Sequence, residues 1–234
     1  MSGLPRALLL DLDGTLVDSE MVHVAGLRRL CEDRGVVLTE AEGLYVIGHG
    51  WREICRELRL EQRLGLDLAG VIAGTVAAKD RLFGEGLELP VLPGAPELLA
   101  LARAAKIPTA IVTGSARPEL DQALRALGIA SEQLAASVCS EEVAHGKPSP
   151  DGYLRAAALL AVPPAACLVV EDSEAGIAAG IAAGMRVLAV AAGNQPAGSP
   201  GHQDQRRAHH HRASLVGLDL AAMAAMMTTI ATEI

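Results

Sequence analysis

The chain has 234 residues, half of them apolar, and a formal net charge of −8 at pH 7. That length holds one large domain or a domain with an insert, and the apolar share supports a sizeable core. The acidic balance and the lack of a basic stripe argue against nucleic acid as a main partner, but a small pocket can still be positive enough to take phosphate. Tyr45, Trp51, Phe83 and Tyr153 are the only aromatic residues, so the core must be aliphatic and rich in alanine. Cys31, Cys55, Cys139 and Cys167 are widely spaced, with no Cys-x-x-Cys, and read as reduced, buried hydrophobes of a cytoplasmic protein. The N-terminal apolar run is too short for a signal peptide. No membrane partner is expected: Ala175–Gly184 is too short to span, and Ser214–Thr232 contains Asp219 and reads as an amphipathic terminal helix.

Ala7–Leu10 is a short apolar run that reads as a fully buried strand. Asp11 and Asp13 follow at its carboxyl end, two residues apart and therefore on the same side. Two close carboxylates repel, and at least one resists ionisation unless a cation sits between them. Mg2+ suits such a pair, since it takes oxygen ligands from one or two carboxylates plus a substrate phosphate. The same letters also fit a polar strand end, with Gly14 supplying the turn. Helical periodicity then runs over Ser19–Arg34, with Val22, Leu27, Leu30 and Cys31 on one face and Gly35 as a stop. Glu40–Ile47, Trp51–Leu58 and Leu66–Phe83 continue as helices, so this stretch reads as an all-helical insert. Leu89–Gly94 is a Pro/Gly break and a return hinge.

Beyond it the pattern alternates. Helices are predicted at Glu97–Ala105, Pro118–Leu127, Pro150–Leu160 and Glu174–Ala183; strands at Pro108–Thr113, Ala135–Cys139, Ala166–Glu171 and Val187–Ala191. Alternation of this kind implies an α/β fold with a parallel sheet covered on both faces, and ligands of such sheets bind beyond the carboxyl ends of the strands. The remaining candidates fall on that side. Thr113-Gly114-Ser115 offers hydroxyls and backbone N–H groups as a phosphate cradle, or else an ordinary helix cap. Lys147, between Gly146 and Pro148, sits either on a fixed loop where it can bind phosphate or on the surface before a capped helix. Glu171 and Asp172 end an apolar strand, where they need a cation or donors, or they simply enrich a helix N-terminus in acid. The small residues Gly176, Gly180 and Gly184 let a helix pack closely on the sheet.

Asp11-x-Asp13-Gly14-Thr15, Thr113, Lys147 and Glu171-Asp172 together resemble, in order and spacing, the four motifs of the haloacid dehalogenase (HAD) superfamily, across about residues 7–192. The insert resembles the small helical cap of the subfamily that contains β-phosphoglucomutase and many sugar-phosphate phosphatases. The resemblance implies a Rossmann-like core at 1–17 and 91–234 and a helical cap at 18–90. It implies that Asp11 is the nucleophile, forming an aspartyl-phosphate, and that Asp13 is the general acid and base. Thr113, with Gly114 and Ser115, would bind the transferring phosphoryl group, and Lys147 would neutralise nucleophile and phosphate. Mg2+ would be held by Asp11, Asp172 and the Asp13 carbonyl, with Glu171 ordering the metal's water. A second Asp in the first motif points to phosphate esters, because the family's dehalogenases and phosphonatases lack it.

The expected activity is therefore Mg2+-dependent hydrolysis of a small phosphorylated metabolite, such as a sugar phosphate. A β-phosphoglucomutase-type mutase shares every core residue and stays open. A non-catalytic binding protein would be expected to lose a motif residue, and none is missing. A nicotinamide-binding domain is disfavoured, as no Gly-x-Gly-x-x-Gly follows the first strand. In the cap, His23 matches a hinge histidine of β-phosphoglucomutase-like proteins. Gly48-His49-Gly50-Trp51-Arg52 is either a loop facing substrate, with Arg52 binding an anionic or polyhydroxyl group, or the start of a helix. Lys79 is a further candidate that also fits a solvated helix face. Residues Gly193–Arg212 read as an exposed loop whose His209-His210-His211 is either an adventitious metal binder or an internal surface tract, and no strand is placed there. The sequence is silent on oligomeric state.

Overall fold

The computed structural model describes residues 3–47, 49–199 and 201–228. It divides into two compact units: Met1–Val17, Val91–Asn194 and Gln203–Ile234 form one, and Asp18–Pro90 with Gln195–His202 forms the other.

The first unit opens with β1 (Ala7–Leu10), whose four residues are all buried. After the helical insert it resumes with α6 (Ala95–Ala104), β2 (Thr109–Val112), α7 (Arg117–Ala126), β3 (Ala136–Val138), α8 (Asp151–Leu159), β4 (Cys167–Glu171), α9 (Glu174–Ala182), β5 (Arg186–Val190), β6 (His210–Arg212) and α10 (Leu220–Met227). The insert itself supplies α1 to α5. The strands make one parallel sheet in the order β3-β2-β1-β4-β5-β6. Chain order reverses beside β1, so the carboxyl ends of β1 and β4 flank the crevice where ligands of such sheets bind. Leu8 pairs with both Thr109 and Leu168, which fixes the register of the centre. Alternation of strand and helix gives the predicted α/β fold, and the alanine-rich prediction describes the core well. Ala156, Ala157 and Ala179 meet Leu9, Val169 and Val187, with Tyr153 as a fully buried aromatic among them. The Gly180 backbone comes close enough to the sheet that a Cβ there would stand 2.8 Å from Val187 Cγ2.

The helical unit contains α1 (Glu20–Asp33), α2 (Glu40–Val46), α3 (Trp51–Glu57), α4 (Leu60–Leu64) and α5 (Leu68–Gly84). Its core joins Leu27, Leu30 and Cys31 of α1 to Ile54, Leu60, Val71 and Ala78. Thr39 and Glu42 close a capping box at the start of α2, which satisfies two backbone donors. Asp67 caps α5 by accepting from the Gly70 N–H at 2.8 Å.

Two elements differ from the sequence reading. The five-residue α4 was unforeseen; Arg59 at φ 51° and Gly65 at φ 64° bracket it, too short a span to show a period. Strand β6 occupies the histidine tract that reads as loop. It pairs with β5 as an edge strand of intermediate and exposed residues, so it lacks the apolar alternation by which strands are recognised. The terminal helix is confined to α10, capped by Asp219; residues 229–232 lie outside the described residues. Among the described residues no helix is long and apolar enough to cross a membrane.

Candidate active site

The turn after β1 places the first two carboxylates. The Asp11 N–H donates to the Val170 carbonyl at 3.0 Å, carrying the β1–β4 pairing one residue beyond the strand. The Leu12 carbonyl then accepts from Thr15, Leu16 and Val17, folding the chain back on itself. Gly14 sits at φ +81°, and a Cβ there would stand 2.1 Å from Asp172 Oδ2. Glycine is needed for the turn and for the approach of the β4 carboxylate.

Asp11, Glu171 and Asp172 bring carboxylate oxygens within 4.8 Å of one another, all three residues buried. Burial, followed by the charges of Glu171 and Asp13, pushes Asp11 up to about 8, with Lys147 opposing. Burial and the charges of Asp11 and Glu171 likewise hold Asp172 well above the usual carboxylate range. Several buried acids with one lysine among them form a site that a cation would relieve. The donor set is all oxygen and suits a hard divalent ion.

Lys147 supplies the positive charge on the protein side. Its Nζ donates to Asp11 Oδ1, to Glu171 Oε1 at 2.6 Å and to the Val112 carbonyl at 3.0 Å. Those three bonds use all three ammonium protons. Burial alone would lower its pKa, but the Asp11 and Glu171 charges outweigh that and hold it well above the ordinary lysine value. The loop carrying it is a built part of the site, and the surface-lysine alternative does not hold.

Thr113 and Ser115, beyond β2, both turn toward Asp13. Their hydroxyls donate to Asp13 Oδ2 at 3.2 and 2.7 Å, and the Ser115 N–H donates to Thr113 Oγ1 at 2.9 Å. Gly114 lies exposed between them. Ser115 is not the helix cap: α7 is capped from Ala116, whose N–H donates to Glu119 Oε2.

Glu171 is held by protein donors on both oxygens. Its Oε2 accepts from the Asp172 N–H at 3.0 Å, the Ser173 N–H at 3.0 Å and the Ser173 hydroxyl at 2.9 Å, and its Oε1 takes Lys147 and the Tyr153 hydroxyl. Both oxygens are committed to protein donors, leaving Asp11 and Asp172 as the carboxylates for a cation. The carboxylate lies so close under α9 that a Cβ on Gly176 would fall 1.6 Å from Glu171 Oε1. This is the close helix–sheet approach expected of the small residues, here against the end residue of β4.

Sequence reasoning missed Tyr153 and Gln205. Gln205 Nε2 donates to the Asp172 carbonyl at 2.6 Å and to the Val190 carbonyl at 2.9 Å, tying the ends of β4 and β5 together. It comes from the stretch read as an exposed loop, where nothing local marks it. The neighbouring histidines are also accounted for. The Val187 N–H donates to His209 Nδ1 at 3.1 Å, and His210 and His211 reach the Met226 and Gln205 carbonyls. Each ring has a backbone partner.

The cap candidates belong to the helical unit. His23 Nδ1 lies 3.3 Å from Lys79 Nζ, and its ring meets Trp51 edge-on at 6.3 Å. Lys79 is only 6% exposed, so the solvated-face alternative is wrong. Trp51 opens α3, and Arg52 in its first turn is exposed. Gly48 lies outside the described residues.

Comparison with known proteins identifies the family. A family model described as haloacid dehalogenase-like hydrolase matches residues 5–184. Hexitol phosphatase A of Escherichia coli (strain K12) is 34% identical over 195 residues, covering 83% of this chain and 86% of that protein. Protein CbbY of Rhodobacter capsulatus is 33% identical over 199 residues, covering 78% of this chain and 84% of its own. Among solved structures, CbbY from Rhodobacter sphaeroides in complex with xylulose-(1,5)bisphosphate superposes with a TM-score of 0.75 at 27% identity, covering 94% of this chain and 99% of that one. Matched over most of its length by that family model, the chain belongs to the haloacid dehalogenase-like hydrolases.

Proposed function

We propose that the chain is a phosphatase that hydrolyses a small phosphorylated sugar or polyol through an aspartyl-phosphate on Asp11. The observation that carries this reading is the convergence of Asp11, Asp13, Thr113, Lys147 and Asp172, from separate segments, at the carboxyl end of one sheet. Phosphoryl transfer needs mainly positioning and charge stabilisation, which these groups supply. Asp11 attacks phosphorus and the ester oxygen leaves, taking a proton from Asp13. Asp13 then removes a proton from water, which displaces Asp11 and releases inorganic phosphate. Thr113 and Ser115 hold the Asp13 carboxylate where it can serve both steps, and Lys147 steadies the Asp11 anion. Asp11, Asp172 and the Asp13 carbonyl would hold Mg2+, which when bound offsets the charge of both phosphate and nucleophile.

The relatives named for hexitol phosphate hydrolysis and for a xylulose bisphosphate complex motivate the substrate class. In the cap, His23, Lys79, Trp51 and Arg52 are the residues we assign to substrate selection. Trp51 is the only tryptophan, so its fluorescence reports their engagement; an unchanged signal on adding Mg2+ and a phosphate analogue would remove it from the set.

Phosphate release from a panel of sugar, polyol and nucleotide phosphates tests the reading. Release that needs Mg2+, stops with EDTA and is absent in Asp11→Asn is the expected result. Isomerisation of β-glucose 1-phosphate without phosphate release would replace it with the mutase reading. Inertness toward every ester would leave a binding role.

A further inference from the structure

Tyr153 is fully buried, and the chemistry above makes no use of its hydroxyl. It lies on α8, on the same chain segment as Lys147, and its ring centroid is 5.3 Å from Lys147 Nζ, within cation–π range. Its hydroxyl donates to Glu171 Oε1 at 2.9 Å, the same oxygen that takes the lysine at 2.6 Å. We infer that Tyr153 is a positioning residue for the proposed reaction: through Glu171 it holds the Lys147 ammonium against Asp11.

The argument is an accounting of donors and acceptors. Lys147 divides its protons among Asp11, Glu171 and the Val112 carbonyl. Two carboxylates therefore compete for one cation. Three donors from Asp172 and Ser173 fix Glu171 Oε2 and stop the carboxylate from rotating. Only Oε1 faces the lysine, and the tyrosine hydroxyl satisfies part of its acceptor capacity. Without that bond, Oε1 would draw the ammonium more strongly and Asp11 would lose its share. A phenylalanine would fill the same space, so the hydroxyl itself is what the site uses.

The inference rests on the phosphatase reading for its kinetic test, and a second readout stands apart from it. Tyr153→Phe keeps the ring and removes only the hydroxyl. Its kcat on the best ester should fall about 5- to 10-fold, with KM and Mg2+ dependence nearly unchanged and Tm lowered by a few degrees. If Tyr153 acts through Glu171, the double variant Tyr153→Phe/Glu171→Gln should fall no further than Glu171→Gln alone. The 15Nζ resonance of Lys147, recorded without substrate, should move in Tyr153→Phe. An unchanged kcat, losses that multiply in the double variant, or an unmoved Nζ resonance would each overturn the inference. Should Glu171→Gln not fold, the Nζ resonance decides. A wild-type protein that hydrolyses no ester would sink the phosphatase reading alone, and the resonance would still judge the role of Tyr153.

Discussion

At Asp11, folding and metal binding are linked through pH. Its folded pKa of about 8 stands above the ordinary 3.8, first because of burial and then because of neighbouring carboxylates. The metal-free native state therefore keeps a proton that the unfolded chain has released. Stability from this group is full below the unfolded value and is lost as pH rises toward about 8. A bound cation takes over the proton's part. The rise in Tm on adding Mg2+ should accordingly be larger at about pH 9 than at about pH 6, and an equal rise at both would contradict the crowded-carboxylate account. Gly176 gives a second residue-scale expectation. Its missing Cβ makes room for Glu171, so Gly176→Ala should cost on the order of 2–3 kcal/mol in urea unfolding and reduce turnover as well. A variant as stable and active as the parent would show that Glu171 can shift freely.

Among the elements, β6 is held in part by a histidine that must stay neutral. His209 Nδ1 accepts the Val187 N–H, and burial, then Arg186 and His210, lower its pKa below 6.5. A base with a depressed folded pKa gives stability that is present at neutral pH and lost as pH falls below its unfolded value. Hydrogen exchange at the Val187 amide should therefore speed up relative to β4 amides when pH is lowered to about 5, after correction for intrinsic rates. An unchanged ratio would mean that the ring does not hold the edge. The same strand shows where sequence reading stops. The buried strands and amphipathic helices announce themselves by composition and period, as do the acids at the ends of β1 and β4. His210–Arg212 carries no such period, and a five-residue helix such as α4 cannot show one. The bond from Tyr153 to Glu171 and the reach of Gln205 to Asp172 link residues 18 and 33 positions apart, distances over which a single sequence holds no pairing signal.

Each of the two compact units has its own cysteine reporters. Cys31 and Cys55 are buried in the helical unit, Cys139 and Cys167 in the sheet unit. Burial pushes the Cys139 and Cys167 thiols up to about 11, so near neutral pH they are both shielded and protonated. None of the four should react quickly with a thiol reagent in the native protein. In rising urea, Mg2+ should delay labelling of Cys139 and Cys167 and leave Cys31 and Cys55 nearly unaffected, because Asp11 and Asp172 both lie in the sheet unit. Equal delay of all four would show that the two cores unfold together.

The register of the central strand bears on synthesis of the chain. Ala7 pairs with Cys167, so β1 cannot gain its β4 neighbour until some 160 further residues have been made. At about 5–20 residues per second that wait is roughly 10–30 s. Throughout it Asp11 has no Asp172 beside it, and for most of it no Lys147, while the five helices of the insert are translated in its first half and can settle around their own core. The nascent polypeptide thus completes its proposed site only once the last motif has emerged.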